Sequence, residues 1–207
     1  MRAPQIRLCF LLSRSLCRNH DPLALTETVI RAGVDAIQVR EKEMTSGELV
    51  EWAGQVQEVC QRAGALLIVN DNVEVAAALK ADGLHLGQDD MHPEDARKIV
   101  GPDCLLGLST HDLEQVDEAV EFGVQYAGFG PVFATQTKGY SRGLGPEYLA
   151  AAMAIARLPL MAIGGITPEN VWMIPPQVGV AASSAICQAN DPVQAVRQIL
   201  FRGAVAP

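Results

Sequence analysis

Short apolar runs alternate with longer stretches of mixed polarity along the whole chain. Eight runs stand out: 6–13 (IRLCFLLS), 36–41 (AIQVRE), 66–70 (LLIVN), 83–87 (GLHLG), 105–109 (LLGLS), 126–130 (YAGFG), 160–165 (LMAIGG) and 178–183 (VGVAAS). Each is continuously apolar or small, which is the pattern of a strand covered on both faces. The stretches between them read as helices. Residues 45–63 open on Thr45 with Glu48 three positions later, a capping box. Residues 72–81 gather Val73, Ala76, Ala77 and Leu79 on one side, and residues 93–100 begin at Pro93, a residue favoured at the first helical position. Residues 111–122, 146–156 and 191–201 repeat the pattern, with Pro146 and Pro192 near two of the starts. Thr167-Pro168-Glu169 predicts an N-cap followed by proline for a short helix that Pro175 and Pro176 stop.

Strand and helix alternating eight times predict a parallel sheet. Eight units in 207 residues favour closure into one α/β domain over residues 1–207, a single (β/α)8 TIM barrel. An open flavodoxin-like sheet is the alternative. Only 5% of the chain is aromatic, so the core must come from Ala, Val, Leu and Ile.

The net charge of −8, with no run of Lys or Arg, argues against nucleic acid or an anionic membrane as partner. It does not exclude phosphate ligands, which such barrels hold with backbone N–H groups and a few cations. The five cysteines are widely spaced with no C-x-x-C, which fits reduced thiols in a cytoplasmic protein. Residues 6–12 are apolar but too short to span a membrane. With Arg2 and Arg7 they lack the longer apolar core and clear cleavage site of a signal peptide. A soluble protein is expected, and its oligomeric state is left open.

In this fold, chemistry belongs at the carboxyl ends of the strands. The second run ends Gln38-Val39-Arg40-Glu41-Lys42, and strand alternation sends Gln38, Arg40 and Lys42 to one side, an edge suited to an anionic ligand. The third ends Asn70-Asp71 and the fourth Gly87-Gln88-Asp89-Asp90. Asp71 and Asp90 are candidate ligands for Mg²⁺, a cation that takes one or two carboxylates plus waters and phosphate oxygens. The alternative is that each caps the helix that follows. The fifth run places Ser109 at the mouth, and His111 just beyond reads as a helix-start or surface residue. The sixth is followed by the longest loop, 130–145, whose Thr135, Gln136, Thr137 and Lys138 can meet anionic oxygens while Val132 and Phe133 anchor it. Gly164-Gly165 after the seventh run, and Ser183-Ser184 after the eighth, lie where such barrels bind phosphate.

Taken together and in order, these motifs resemble the thiamine-phosphate synthase family across residues 33–200. The resemblance implies a transferase of thiamine biosynthesis. Hydroxymethylpyrimidine diphosphate loses pyrophosphate, and the nitrogen of a thiazole phosphate captures the pyrimidine methylene cation. It further implies that residues Gln38 to Lys42, Asn70, Ser109 and Lys138 hold the pyrimidine diphosphate, with Arg40, Ser109 and Lys138 serving catalysis. Asp71 and Asp90 would bind Mg²⁺. Thr135, Gln136, Thr137, Gly165, Ser183 and Ser184 would hold the thiazole phosphate. The chain departs from the family pattern at Leu12-Ser13-Arg14, where a Thr–Asp pair is usual, across 171–180, and at Ser183, where an aliphatic residue is frequent. A thiazole tautomerase, or a non-catalytic sensor of phosphate ligands, is the competing reading. The tautomerases generally carry His where this chain has Pro131.

Overall fold

The computed structural model describes residues 6–17, 19–135 and 141–202. Eight parallel strands close into a barrel in chain order: β1 (Leu8–Leu12), β2 (Ala36–Val39), β3 (Leu66–Asn70), β4 (Gly83–Leu86), β5 (Leu105–Thr110), β6 (Tyr126–Phe129), β7 (Leu160–Ile163) and β8 (Gly179–Ala182). Closure is direct, with Leu8 of β1 in register with Val180 of β8. The open-sheet alternative is thereby set aside.

Strand alternation separates two apolar layers. Leu8, Phe10 and Leu12 pack outward with Ile37, Val39, Leu67 and Val69, between the barrel and its helices. Cys9, Leu11, Ile68, Leu105, Met161 and Ala181 fill the interior. Phe10, Phe129 and Leu106 are fully buried, and each such side chain contributes about 1.5–3 kcal/mol. Truncating one of them therefore costs more than losing a helix cap, which is worth ~1 kcal/mol.

Around the barrel lie α1 (Pro22–Arg31), α2 (Ser46–Ala63), α3 (Val73–Leu79), α4 (Pro93–Val100), α5 (Leu113–Glu118), α6 (Pro146–Ile155), α7 (Ser184–Cys187) and α8 (Pro192–Leu200). The Thr45–Glu48 capping box is formed, with the Glu48 carboxylate accepting from the Thr45 N–H at 2.9 Å. In α2 a buried face of Leu49, Trp52, Ala53, Val56, Val59 and Cys60 follows the helical period. Gly54 interrupts this helix, yet a Cβ there would meet only Leu79 Cδ2 at 3.7 Å, an ordinary contact. Gly54→Ala is therefore expected to stabilise the fold by about 0.5–1 kcal/mol. A thermal melt displaced upward by about 1–4 °C checks it.

Two segments differ from the pattern reading. Helix α1 went unread, although Asp21 caps it by accepting from the Ala24 N–H at 2.8 Å and Pro22 opens it. Conversely, Thr167-Pro168-Glu169 starts no α-helix. Thr167 Oγ1 does accept from the Glu169 N–H at 3.3 Å, but the chain makes only a 3-10 turn, Val171–Met173, before Pro175 and Pro176 lead it into β8. Two prolines so soon after the cap leave too few N–H groups for an α-helical ladder. All five cysteines are free and buried. Among the described residues no helix is long and apolar enough to cross a membrane.

Candidate active site

The carboxyl ends of β3 and β4 bring Asp71 and Asp90 together. Neither caps a helix. Asn72 caps α3, accepting from the Val75 N–H at 2.9 Å, and His92 caps α4. Asp71 instead occupies a left-handed turn (φ 62°), with its N–H donating to the His85 carbonyl at 2.8 Å. Asp90 folds back so that its Oδ2 accepts from the Gly87 N–H at 2.6 Å. The two carboxyl groups come within hydrogen-bonding reach of each other. Burial, and then Asp90, push the Asp71 carboxyl up to about 6, against the pull of Arg40 and Lys42. Asp71 is half-buried and Asp90 exposed, and two facing carboxyl groups of this kind could hold a hard cation.

Strand β2 ends at Val39, two residues before the end of the run 36–41 read from the sequence. Gln38 is buried on the inner face, and Val39 packs outward against the helices. Beyond Val39 strand alternation no longer governs. Arg40 donates its N–H to the Leu12 carbonyl at 2.9 Å, and Arg40, Glu41 and Lys42 all line a cleft between α1 and α2. This corrects the expectation that Glu41 faces away from Lys42. Glu41 accepts from the Arg14 N–H at 2.6 Å, and burial nevertheless raises its pKa.

Of the candidates, Arg40, Ser109, Thr135, Gly165, Ser183 and Ser184 line one cavity at the barrel mouth, which is partly open to solvent. Arg40 borders both this cavity and the cleft that holds Lys42. Asn70 lies at the end of β3 in register with His85. Gln136, Thr137 and Lys138 lie outside the described residues.

The loop after β6 is tied to the end of β7, as the Val132-Phe133 anchor predicted. Val132 N–H donates to the Ile163 carbonyl at 2.8 Å, and Phe133 N–H to the Gly164 carbonyl at 3.0 Å. Returning, Leu144 N–H donates to Pro131 at 2.8 Å and Gly145 N–H to Val132 at 2.9 Å. Gly164 (φ 96°) and Gly165 (φ 62°) are required here, because a Cβ would overlap Pro131 at the first and the Ala134 carbonyl at the second. The close approach that these glycines permit is that of the chain's own loop. His111 adds a further tie: it opens the turn before Asp112 caps α5, and its ring Nδ1 donates to the Gly130 carbonyl at 2.6 Å.

Two polar residues inside the barrel escaped the sequence reading of the site. His85 and Tyr126 are both buried. His85 Nε2 lies 2.9 Å from Ser109 Oγ, and its Nδ1 lies 2.9 Å from the Tyr126 hydroxyl. Gly107 makes room for the Tyr126 ring, where any Cβ would overlap it, and Gly128 sits 3.1 Å (from an added Cβ) beneath His85 Cε1. The signal was available: in GLHL and YAGF, a period of two puts His85 and Tyr126 on the inner face opposite the outward leucines and Phe129.

A family model described as thiamine monophosphate synthase matches residues 8–186, which takes in every strand and both carboxylates. The chain belongs to the thiamine monophosphate synthase family. A relative named thiamine-phosphate synthase from Chlorobium luteolum is 40% identical over 183 residues, covering 86% of each chain. Another of that name from Moorella thermoacetica is 37% identical over 199 residues, covering 95% of each. The chain spans about half the length (50%) of a longer Synechococcus relative that it matches at 43% identity. Among solved structures, thiamine phosphate pyrophosphorylase from Pyrococcus furiosus superposes with a TM-score of 0.84 at 31% identity, covering 94% of both chains.

Proposed function

We propose that the chain is a thiamine-phosphate synthase, a transferase that joins hydroxymethylpyrimidine diphosphate to a thiazole phosphate and releases pyrophosphate. Family membership supports the activity. The observation that carries it to these residues is the Asp71–Asp90 pair beside Arg40 and Lys42 at the mouth. Acidic and basic groups so arranged suit a diphosphate that departs with a metal.

Asp71 and Asp90 would hold Mg²⁺. A divalent cation there supplies charge neutralisation for the departing diphosphate. Two facing carboxylates suit it, and the Asp71 carboxyl has its pKa raised by burial and by its neighbour Asp90.

The remaining work is electrostatic. The bond between the pyrimidine methylene carbon and the diphosphate oxygen breaks, and its electron pair leaves with the diphosphate. The lone pair of the thiazole nitrogen forms the new carbon–nitrogen bond. Arg40, at the end of β2, would neutralise the leaving oxygens, a role the family resemblance also gives Lys138. Ser109 contributes a hydroxyl to the same ligand. Thr135, Gly165, Ser183 and Ser184 border the same cavity and suit the thiazole phosphate. No protein nucleophile is needed, and the five buried thiols take no part. The setting is cytoplasmic and both substrates are small molecules.

Purified protein given both substrates is expected to release pyrophosphate and form thiamine phosphate in equal amounts, and only with Mg²⁺. Binding of the thiazole phosphate without any release would instead favour a tautomerase or a sensor.

A further inference from the structure

We propose that Tyr126 and His85 are positioning residues that fix the Ser109 hydroxyl as a hydrogen-bond donor into the barrel mouth. This rests on the synthase reading above and assigns the direction of one contact within it.

The direction follows from counting protons. Burial raises the Tyr126 phenol well above its ordinary range, so it stays protonated and has one hydrogen to give. A phenol buried this fully must donate. His85 Nδ1, 2.9 Å away, is placed as the acceptor. A neutral imidazole that accepts at Nδ1 carries its hydrogen on Nε2. Nε2 then donates to Ser109 Oγ at 2.9 Å. With an oxygen lone pair so occupied, the serine's own hydrogen is turned to other acceptors. The Ser109 backbone carbonyl is already taken by the Gln88 side-chain amide at 2.6 Å. Ser109 lines the mouth cavity, so the hydrogen points at whatever anionic oxygen lies there.

The opposite tautomer would reverse every arrow. Nδ1–H would donate to the phenol, Nε2 would accept from Ser109, and the serine would present lone pairs to a diphosphate. Tyr126 therefore decides whether Ser109 attracts or repels the leaving group, from two hydrogen bonds away. The barrel is built around this chain of contacts. His85, Gly107 and Tyr126 are in register on three successive strands, and the missing side chain at Gly107 lets the tyrosine ring cross to β4.

Tyr126→Phe removes one oxygen and keeps the ring. It is expected to lower kcat about tenfold, on the scale of one lost hydrogen bond in a transition state, with KM for both substrates changed less than about twofold. Ser109→Ala is expected to lose more. The deciding comparison is Tyr126→Phe made in the Ser109→Ala background. No further loss there supports action through Ser109, whereas losses that multiply overturn it. Nitrogen-15 NMR of the wild-type protein, with the His85 signals assigned by their disappearance in His85→Gln, gives a readout independent of turnover. Hydrogen on Nε2 supports the proposal, and hydrogen on Nδ1 overturns it. If wild-type protein releases no pyrophosphate at all, the synthase reading falls, and the tautomer measurement still decides the arrangement of Ser109.

Discussion

Asp71→Asn and Asp90→Asn are each expected to lower pyrophosphate release at least about a hundredfold without unfolding the protein. A bound metal contributes several kcal/mol to stabilising a departing anionic group. Losing about 3 kcal/mol of that is a hundredfold in rate. Asn is the informative replacement. It tolerates the left-handed turn at position 71, which alanine adopts at a cost, and at position 90 its carbonyl can still accept from the Gly87 N–H. Each variant also relieves the repulsion between the half-buried Asp71 carboxylate and Asp90. In the absence of metal, Asp71→Asn protein should therefore melt no lower than wild type. Mg²⁺ should raise the melting temperature of wild type, because it binds the folded state, and leave both variants unmoved. Wild-type turnover in either variant at low Mg²⁺ would rule out the metal assignment.

Gly164→Ala is expected to damage both stability and the binding of the thiazole phosphate. The backbone at φ 96° is strained for any L side chain, at about 1–3 kcal/mol, and the new Cβ must displace Pro131 at a similar further cost. A total of about 3 kcal/mol lowers the melting temperature by roughly 6–12 °C. The displacement also pulls on Val132 N–H to Ile163 and Phe133 N–H to Gly164, the two bonds that hold the loop after β6 in place. Thr135 follows directly and lines the cavity with Gly165, so affinity for the phosphate falls too. Melting curves and equilibrium binding of the thiazole phosphate check the pair of effects. A variant with unchanged melting temperature and affinity would show that the loop is not held from position 164.

Most of the barrel was legible because buried parallel strands leave continuous apolar runs: seven of the eight strands fall inside the runs read from the sequence, and β5 runs one residue past its run, to Thr110. Helices with a cap and a strong apolar stripe, such as α2, were equally plain. Where local signals pointed two ways, the pattern failed. Thr167-Pro168-Glu169 carries a helix start, but Pro175 and Pro176 end the segment too soon, a contest that only the following strand decides. For Asp71 and Asp90 the sequence allowed both caps and ligands. The structure separates them because the neighbours, Asn72 and His92, do the capping. Glu41 was misplaced because the end of β2 could not be fixed to one residue, and one residue reverses a side chain. His85 and Tyr126 were hidden for a different reason: their partnership spans three strands, and no local window contains both Gly107 and the ring that fills its space.

The pairing of β1 with β8 also sets a timetable for synthesis. Leu8 leaves the ribosome early, yet its partner Val180 comes late in the chain. At about 5–20 residues per second, the wait is on the order of ten seconds or more. During that time β1 presents an unpaired, wholly apolar edge, the kind of surface on which nascent chains associate wrongly. Closing the barrel is thus a long-range pairing, slow by its topology. A chaperone that shelters residues 8–12 until β8 emerges would have its largest effect on yield here, and little effect on the finished barrel.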